Sequence, residues 1–500
     1  MKVKIIAAIL LGSFFTFSCT DLDEELYDRV EDGNFGTTPN EVEALVGGAY
    51  SSLRGFSDPI SNSFPGSEYV FFLNAVSSDE AVIPTRGTDW FDGGQWQRIQ
   101  KHTWTPSDGA ILSAWRYCYA GIAKVNSIIY QIDKSSLTEE AKEPIYAELK
   151  AVRAYYYYML LDMFGNVPIV TDFEDTSLPS NSSRADVYAF VESELLSALP
   201  HLSPDVVYSK FTQNVAYSLL ARLYLNSQAF IGVERWQDCL DMCQNVTGYS
   251  LTPDYFANFL TENHTSSEII FAIPYDSDAG TLGNYMSSMS CHYLHRYTIS
   301  ATGNYPWSAN GMSGEPGLFS SFEEGDSRRN AMVEGEQINL STGSVIIMDS
   351  GEPLVYTEDI PDFTNSPQNV GVRLGKYEMK EGEVWERDHD LVIIRYAEIL
   401  MMQAECYVRL GQAGQAQPLV AQIRTRAGLD TPATIDLDFL NAELRREFVF
   451  EGKRRTDNIR FGTFFQPGWE LDVTPAYRAI FPIPTTVLTT NANLIQNDGY

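Results

Sequence analysis

The sequence predicts a mainly α-helical protein, in which a scaffold of paired helices carries a large loop-rich insertion with short strands. Apolar residues recur at helical spacing in three blocks, at about 110–164, 184–246 and 392–461. Between 247 and 391 the pattern changes to short apolar runs such as "EIIFAIPY" and "SVIIM", set among many Gly, Pro, Ser and Asn residues. Those runs predict small strands in otherwise irregular structure.

The helical blocks contain a repeat. The segment 397–429 reads "AEILMMQAECYVRLGQAGQAQPLVAQIRTRAGL", with Ala404 on a first helix and Ala416 on a second. Small residues at these offsets let two helices approach closely, as in tetratricopeptide helix pairs. A similar pair is predicted from "AYSLLARLYLNSQAF" and a partner starting near Trp236, and a third from "LKAVRAYYYYMLLDMF" and 184–200. Because one pair cannot bury its apolar face alone, the pairs are predicted to stack into one platform.

The N-terminus has the pattern of an export signal. Lys2 and Lys4 precede an apolar run that ends just before Cys19 and is too short to form a stable membrane span. A cysteine in this position resembles the lipobox of bacterial lipoproteins, which predicts a signal peptide at 1–18 and a lipid anchor on Cys19. Simple secretion is the alternative. The acidic run "TDLDEE" that follows resembles the signal that directs lipoproteins of the Bacteroidota to the outer leaflet of the outer membrane.

Charge and motifs argue against several classes of function. Without residues 1–18 the chain has 33 basic and 66 acidic residues, a net charge of −33, so nucleic acid is not an expected partner. There is no phosphate-binding glycine loop, no HExxH and no GxSxG, and we expect neither catalysis nor a cofactor. The cysteines after Cys19 are scattered, and neither they nor the acidic loops have the spacing of a metal site. No metal is predicted.

Five blocks occur in an order known from one family of proteins. They read "YAGIAKVNSII", "ELKAVRAYYYYMLLDMFGNVPIV", "RYAEILMMQAECYVRLG", "LRREFVFEGKRRTDNIRFG" and "FPIPTTVLTTNANLIQNDGY". Together with the lipobox cysteine they resemble the SusD/RagB family of outer-membrane nutrient-binding lipoproteins. The resemblance implies one SusD-like domain over 19–500. Within it, the helical scaffold is expected at about 40–56, 110–246 and 392–461, and the loop-rich ligand-binding part at about 57–109 and 247–391.

The same resemblance implies a function. Members of the family use tetratricopeptide-like helix pairs as a scaffold and form an extracellular lid over a TonB-dependent, SusC-like transporter. The expected role is therefore to capture oligosaccharides at the cell surface and to deliver them to that transporter. A peptide-binding, RagB-like lid of a peptide importer is the alternative.

The aperiodic stretch "PTRGTDWFDGGQWQR" at 84–98 is the leading candidate for ligand contact. An aromatic face can cover the C–H face of a pyranose, while carboxylates and guanidinium groups hydrogen-bond its hydroxyls. The candidates are Arg86, Asp89, Trp90, Asp92 and Trp96 in this stretch, and Tyr293, Tyr297, Tyr305 and Trp307 in the insertion. The alternative is that the tryptophans pack on the scaffold and that Arg and Asp pair with each other.

A second group of charged residues is interpreted as structural. These residues lie on apolar helices, where a charge needs a buried partner. They are Arg153, Arg395, Glu398, Glu405 and Arg454. We do not assign them to the ligand site.

Overall fold

The computed structural model describes residues 38–55, 66–276, 283–284, 286–295, 308–379 and 388–500, and within them the chain is mainly α-helical. Helices α1 to α15 are Pro39–Ser52, Gly66–Val76, Gln95–Gln100, Gly109–Lys134, Glu139–Met163, Arg184–Ala198, Gln213–Leu225, Ser227–Ile231, Trp236–Asn245, Met286–Ser290, Tyr396–Arg409, Ala413–Arg426, Leu437–Glu447, Arg454–Phe461 and Thr485–Thr490. Strands β1 to β8 are Ala81–Val82, Ile269–Ile273, Ser313–Gly314, Met332–Val333, Gly335–Glu336, Val355–Tyr356, Arg373–Leu374 and Leu391–Arg395. In this part of the chain no helix is both long and apolar enough to span a membrane.

Several helices begin at side chains that satisfy their first backbone N–H groups. Helix α1 has a reciprocal cap, in which Thr38 accepts from the backbone of Glu41 and the Glu41 carboxylate accepts from the backbone of Thr38. Helix α6 starts with the same arrangement between Ser183 and Asp186. These local signals explain why the chain turns into a helix at these points.

The predicted helix pairs are confirmed. Helix α5 packs along α6, α7 along α9, and α11 along α12. Helix α9 also packs on α11, so the second and third pairs are neighbours in space although residues 246 to 395 separate them in sequence. Ala404 and Ala416 are fully buried between α11 and α12, as expected for small residues at a close helix contact.

The long helices α4 and α5 approach each other at a glycine. A Cβ atom built on Gly121 would come within 2.1 Å of the Tyr156 ring, so only glycine leaves room for that ring. The Tyr156 hydroxyl lies 2.8 Å from Oγ of Ser52 on α1, and both groups are buried. Gly121 therefore sets the spacing of three helices.

The strands differ in part from the prediction. The run "EIIFAIPY" forms β2, which pairs antiparallel with β8. The third helical block was predicted to start at Val392, but residues Leu391–Arg395 form this strand and the helix begins at Tyr396. The run "SVIIM" contributes only isolated bridges, from Val345 to Ile338 and from Ile347 to Pro353.

The interval 57–109, predicted to be loop-rich, contains the helices α2 and α3. Helix α3 is short and directly follows two glycines, Gly93 and Gly94, which both have positive φ. Its buried side chains include Trp96 and Ile99, which are three positions apart and lie on one apolar face. This pair spans a single helical turn, which is too short a pattern to indicate a helix in the sequence.

The charged residues interpreted as structural form ion pairs in which at least one partner is buried, as predicted. Arg153 donates to Glu194 at 2.7 Å and Arg454 to Asp79 at 2.6 Å. The other pairs join Arg222 and Lys453 to Glu398, Arg409 and Arg460 to Glu405, and Arg395 to Glu268, Glu447 and Glu451. Each of these charges is already paired with a group of opposite charge in the protein.

We expect Gly121→Ala to destabilise the protein, because the added methyl group would overlap the Tyr156 ring. Overpacking of this kind costs about 1–3 kcal/mol. Gly47→Ala on α1 is the matched control, since nothing lies within 4 Å of a Cβ atom there and replacing a helical glycine by alanine gains up to about 1 kcal/mol. Urea unfolding of the protein lacking residues 1–19 would measure the free energy of unfolding of both variants. Equal free energies of unfolding for the two variants would contradict the proposed contact.

Candidate functional site

The stretch 84–94 forms a tight turn that projects its tip outward. Arg86 and Asp89 exchange two backbone hydrogen bonds, of 3.0 and 3.2 Å. Beyond the turn, the backbone φ is +58° at Trp90 and +41° at Asp92. Residues other than glycine rarely adopt this left-handed backbone conformation, so contacts with the surrounding structure have to hold the loop in place.

Trp90 is the first of two residues whose contacts hold the loop in place. Its indole N–H donates to the backbone oxygen of Ala309 at 2.7 Å. Its ring lies over Gly311, where a Cβ atom would come within 2.3 Å of the indole. The side chain is half-buried and packs beside Trp96, with ring centroids 6.2 Å apart. Trp90 therefore joins the loop to the segment 308–312 and keeps only part of its surface in solvent.

Arg86 is the second restraint, and its position corrects the prediction of ligand contact. The side chain is 1% exposed. Nε donates to the backbone oxygen of Asn310 at 2.9 Å, and Nη2 donates to Ser313 Oγ at 2.9 Å and to the oxygen of Val370 at 3.0 Å. Burial, together with the neighbouring Arg373 guanidinium, lowers the pKa of Arg86 well below its ordinary value. Arg86 holds three segments together beneath the loop.

Trp96 is also inside the protein, so the packing alternative applies to it. Its side chain is buried, its ring lies edge-on to Phe72, and its N–H donates to Oδ2 of Asp92 at 2.6 Å. The predicted stretch is aperiodic only up to Gly94, after which helix α3 turns Trp96 toward the core. Trp96 supports the loop through Asp92 and presents no face to a ligand.

The outward side of the loop combines aromatic rings with carboxylates. We call it the loop face, and it consists of Asp89, Trp90, Phe91, Asp92 and Tyr293. Asp89 and Asp92 are exposed, and Tyr293 is half-buried. The Tyr293 hydroxyl donates to Asp89, which joins the insertion to the loop across about 200 positions of sequence. Burial and the adjacent Asp89 carboxylate raise the pKa of Tyr293 well above its ordinary value, so its hydroxyl stays protonated.

Phe91 is the member of the loop face that sequence reasoning missed. Its side chain is 52% exposed, and it is the one large apolar residue of the stretch 84–98 that is mostly in solvent. It was missed because an aromatic platform was expected from the two tryptophans. The available signal was its position in the aperiodic stretch next to Gly93 and Gly94, where no helical or strand pattern directs a side chain to the core.

The remaining predicted contact residues fall outside the described part of the chain. Tyr297, Tyr305 and Trp307 belong to 296–307, and the lipidation candidate Cys19 precedes residue 38. The chain enters this interval at His295 and leaves it at Ser308. Ala309, the partner of Trp90, follows directly. Within the described residues, no group of three or more His, Cys, Asp or Glu side chains has the arrangement of a metal site.

Two buried carboxyl groups, those of Glu80 and Glu315, lie next to the paired strands β1 and β3. Oε1 of Glu80 accepts from the backbone N–H of Phe450 at 2.7 Å, and Oε2 of Glu315 accepts from Gln100 at 3.0 Å. Burial raises the pKa of each carboxyl group to about 8. Both are therefore largely protonated at neutral pH.

Comparison with known proteins identifies the family. A family model described as "Starch-binding associating with outer membrane" matches residues 77–225. A second model, described as "SusD family", matches residues 244–475. The chain belongs to the SusD/RagB family. The loop face lies within the first match through Asp89 to Asp92 and within the second through Tyr293.

Relatives of this SusD/RagB chain include the "Starch-binding protein SusD" of Bacteroides thetaiotaomicron, 25% identical over all of both chains. "SusD-like protein P2" of Formosa agariphila is also 25% identical over all of both chains. The fold is similar to that of a "Laminarin binding SusD-like protein", with a TM-score of 0.73, 24% identity, and coverage of 93% of this chain and 100% of that one. Surface glycan-binding protein A from Bacteroides thetaiotaomicron in complex with laminarihexaose gives a TM-score of 0.73 at 22% identity, covering 92% and 100%.

We expect Trp96→Ala to lower the thermal stability strongly, because it leaves a cavity next to Phe72 and removes the donor to Asp92. Truncating a buried tryptophan costs about 3–5 kcal/mol. Phe91→Ala, five residues earlier in the same loop, should change the free energy of unfolding by less than about 0.5 kcal/mol. Thermal melting followed by circular dichroism would separate the two variants. A wild-type melting temperature for Trp96→Ala would show that its ring is not part of the core.

We also expect the pH dependence of stability to change in Glu315→Gln. Because the folded-state pKa of Glu315 is raised, its contribution is fully present below the ordinary carboxyl pKa and is lost as the pH rises through about 8. Between pH 6.5 and 7.5 the free energy of unfolding should therefore fall less steeply with pH in the variant than in the wild type. The two slopes should differ by about 1.4 kcal/mol per pH unit. Urea titrations at both pH values would measure this, with Glu324→Gln at an exposed position as the control. Identical slopes for Glu315→Gln and the wild type would contradict a protonated buried Glu315.

Proposed function

We propose that this protein is a glycan-binding lipoprotein of the cell surface, anchored in the outer membrane through Cys19. In this role it captures oligosaccharides and delivers them to a SusC-like TonB-dependent transporter. The observation that carries the proposal is the loop face, where the exposed ring of Phe91 lies in sequence between the exposed carboxylates of Asp89 and Asp92. The loop face binds the sugar without catalysing a reaction.

The chemistry of the loop face suits a sugar. The Phe91 ring offers a flat apolar surface for the C–H face of a pyranose, and part of the Trp90 indole lies next to it in the chain. Asp89 and Asp92 are acceptors that can take hydrogen bonds from sugar hydroxyls. Tyr297, Tyr305 and Trp307 extend this surface in the proposal, because the interval that contains them begins and ends beside Tyr293 and Ala309.

The relatives support a glycan as the ligand. Their names describe binding of starch and of laminarin, and one related structure was determined as a complex with laminarihexaose. The identities of 25% or less leave the particular glycan open. Delivery to a transporter and attachment through Cys19 rest on the resemblance of the chain to the family and on the lipobox pattern.

We expect Phe91→Ala to weaken glycan binding at least tenfold while leaving the melting temperature unchanged. The reason is that the Phe91 ring contributes contact area to the ligand and little to the core. Native gel electrophoresis in the presence of a panel of polysaccharides would find a ligand, and calorimetric titration of the protein lacking residues 1–19 would give its affinity. Phe173→Ala is the matched control, since that ring is 50% exposed on the segment that follows α5.

Two results would contradict the proposal. If no polysaccharide binds and peptides bind saturably, the protein is a peptide-binding member of the family. If a glycan binds and both phenylalanine variants retain full affinity, the ligand site lies elsewhere on the surface. Trp307→Ala in the same assay tests the part of the surface that the insertion is proposed to supply.

A further inference from the structure

We propose that an apolar sheet face on the insertion, bordered by carboxylates, is the docking surface for a second protein whose contacting patch is apolar and surrounded by lysine and arginine side chains. This surface is separate from the loop face and has no part in the proposed glycan contact. The inference follows from the alternation of buried and exposed residues over 335–356 and from the charges of the same segment.

Three short antiparallel segments form a small meander in the insertion, and its inner side is closed. Strand β5 pairs with β6, and the segment between them folds back against both through isolated bridges. Ile346, Leu354 and Tyr356 are 6%, 0% and 0% exposed and pack in one apolar cluster. The backbone N–H of His292 donates to the Tyr356 hydroxyl at 2.9 Å. The inner side of the meander is therefore packed on the rest of the insertion.

The outer side of the meander is also apolar, but it is exposed. Successive side chains of a strand point to opposite faces, and the two residues of an antiparallel bridge share a face. The bridges Ile338 to Val345 and Ile347 to Pro353 place these four side chains on the outer side. Ile338 is 49% exposed and Ile347 53%, and Leu340, two positions beyond Ile338, is 44% exposed. We call these five residues the meander face.

The composition of the meander face points to a protein as its occupant. Single exposed aliphatic residues are common, whereas contiguous ones with a polar border mark interaction sites. The face has no aromatic ring to cover a pyranose, and its side chains have no hydrogen-bonding group for sugar hydroxyls. Branched aliphatic side chains of this kind are buried well by apolar side chains of another protein.

The charges bordering the meander face are negative. From 330 to 372 the chain contains seven Asp and Glu residues and neither Lys nor Arg. Four of these carboxylates are exposed and close in sequence to the meander face, namely Glu334, Glu336, Asp349 and Glu352. Within the described residues none of the four is in an ion pair. They are therefore available to cations of a partner.

Three arginines close to this segment do not reverse its sign. The Arg329 guanidinium lies 3.9 Å from the centroid of the Phe319 ring. Arg373 lies on the inner side of the meander, 4.5 Å from the centroid of the Tyr356 ring, and Arg86 is buried beside it. Even with all three charges counted in full, the seven carboxylates of 330–372 are in excess.

This charge disfavours two other occupants. A second copy of the chain would bring the same carboxylates against the meander face, and anionic lipid headgroups would be repelled in the same way. A protein patch with an apolar centre and a basic border would bury the aliphatic side chains and pair the carboxylates. In such an interface the apolar centre is desolvated, while the charged border favours the correct partner and speeds association.

Site-directed photocrosslinking on membranes of the cells that make the protein would test the proposal. Ile347→Cys introduces an accessible thiol, because the five cysteines of the described chain are buried. Benzophenone maleimide attached to this thiol crosslinks to neighbouring molecules on irradiation. The wild type, treated in the same way, controls for other thiols. Val233→Cys, which is 50% exposed in the helical part of the chain, controls for exposure.

Two further changes, each made together with the cysteine at 347, test the chemistry of the surface. E336Q/E352Q removes two border charges, and I338S removes part of the apolar surface. D205N/E234Q is the matched control, since it removes two exposed charges from the helical part of the chain. A thermal melt of each variant checks its folding, and E352Q alone replaces the double variant if that variant melts early.

We expect the probe at 347 to form an adduct with another protein that is absent from the wild type and from Val233→Cys. E336Q/E352Q and I338S should each lower its yield by about threefold or more, and D205N/E234Q should leave it unchanged. Mass spectrometry should locate the crosslinked peptide in a patch of the partner that has more Lys and Arg than Asp and Glu.

Several results would overturn the inference. An adduct of twice the protein's own mass would identify a second copy as the occupant, and an adduct with lipid alone would identify a membrane surface. No adduct, an equal adduct from Val233→Cys, a partner patch rich in Asp and Glu, or a yield that E336Q/E352Q leaves unchanged would also contradict it. None of these measurements depends on glycan binding, so the proposed function stands or fails separately.

Discussion

A buried network of ion pairs joins the loop-rich insertion to the last helices, and the position of the insertion depends on it. Arg395 bonds to Glu268 at 2.8 Å, to Glu447 at 2.6 Å and to Glu451 at 2.8 Å. Arg328 joins the same network through Glu447 at 3.0 Å, and Lys376 joins it through Glu451. Removing such charges from water costs several kcal/mol per ion, so the arrangement is stable only when every partner is present. Three separate points of the insertion are thereby fixed to the helices.

These fixed points extend to the loop face through a short chain of contacts. Arg373 lies three residues before Lys376, and the two are linked by strand β7 and the turn after it. The Arg373 guanidinium binds Asn310 and shares Ser313 Oγ with Arg86. Arg86 begins the turn that carries Trp90, and Trp90 packs on the segment that Arg373 holds. The loop face is thus connected to the helix pairs by a continuous series of hydrogen bonds and ion pairs.

The sequence predicted the features that are repeated or local. The helix pairs were found because their apolar residues and small residues recur at fixed offsets. Arg395 and Glu398 were assigned to ion pairs because they lie in an apolar stretch, although Arg395 belongs to strand β8 and not to the predicted helix. Helix α3 was missed because Trp96 and Ile99 alone provide its periodicity. The interior position of Arg86 had no local signal, since its partners lie more than 220 residues away in the chain.

The conformation of the loop explains why one aromatic ring remains in solvent. Trp90 and Asp92, on either side of Phe91, both have positive φ, which costs on the order of 1 kcal/mol or more at each residue. Each of these two residues also places its side chain against the protein, Trp90 on Gly311 and Asp92 on the Trp96 N–H. With both neighbours held in this way, the Phe91 side chain between them is 52% exposed. The exposed Phe91 ring therefore contributes little to stability, and the strained conformation of the loop is maintained by the contacts of its neighbours.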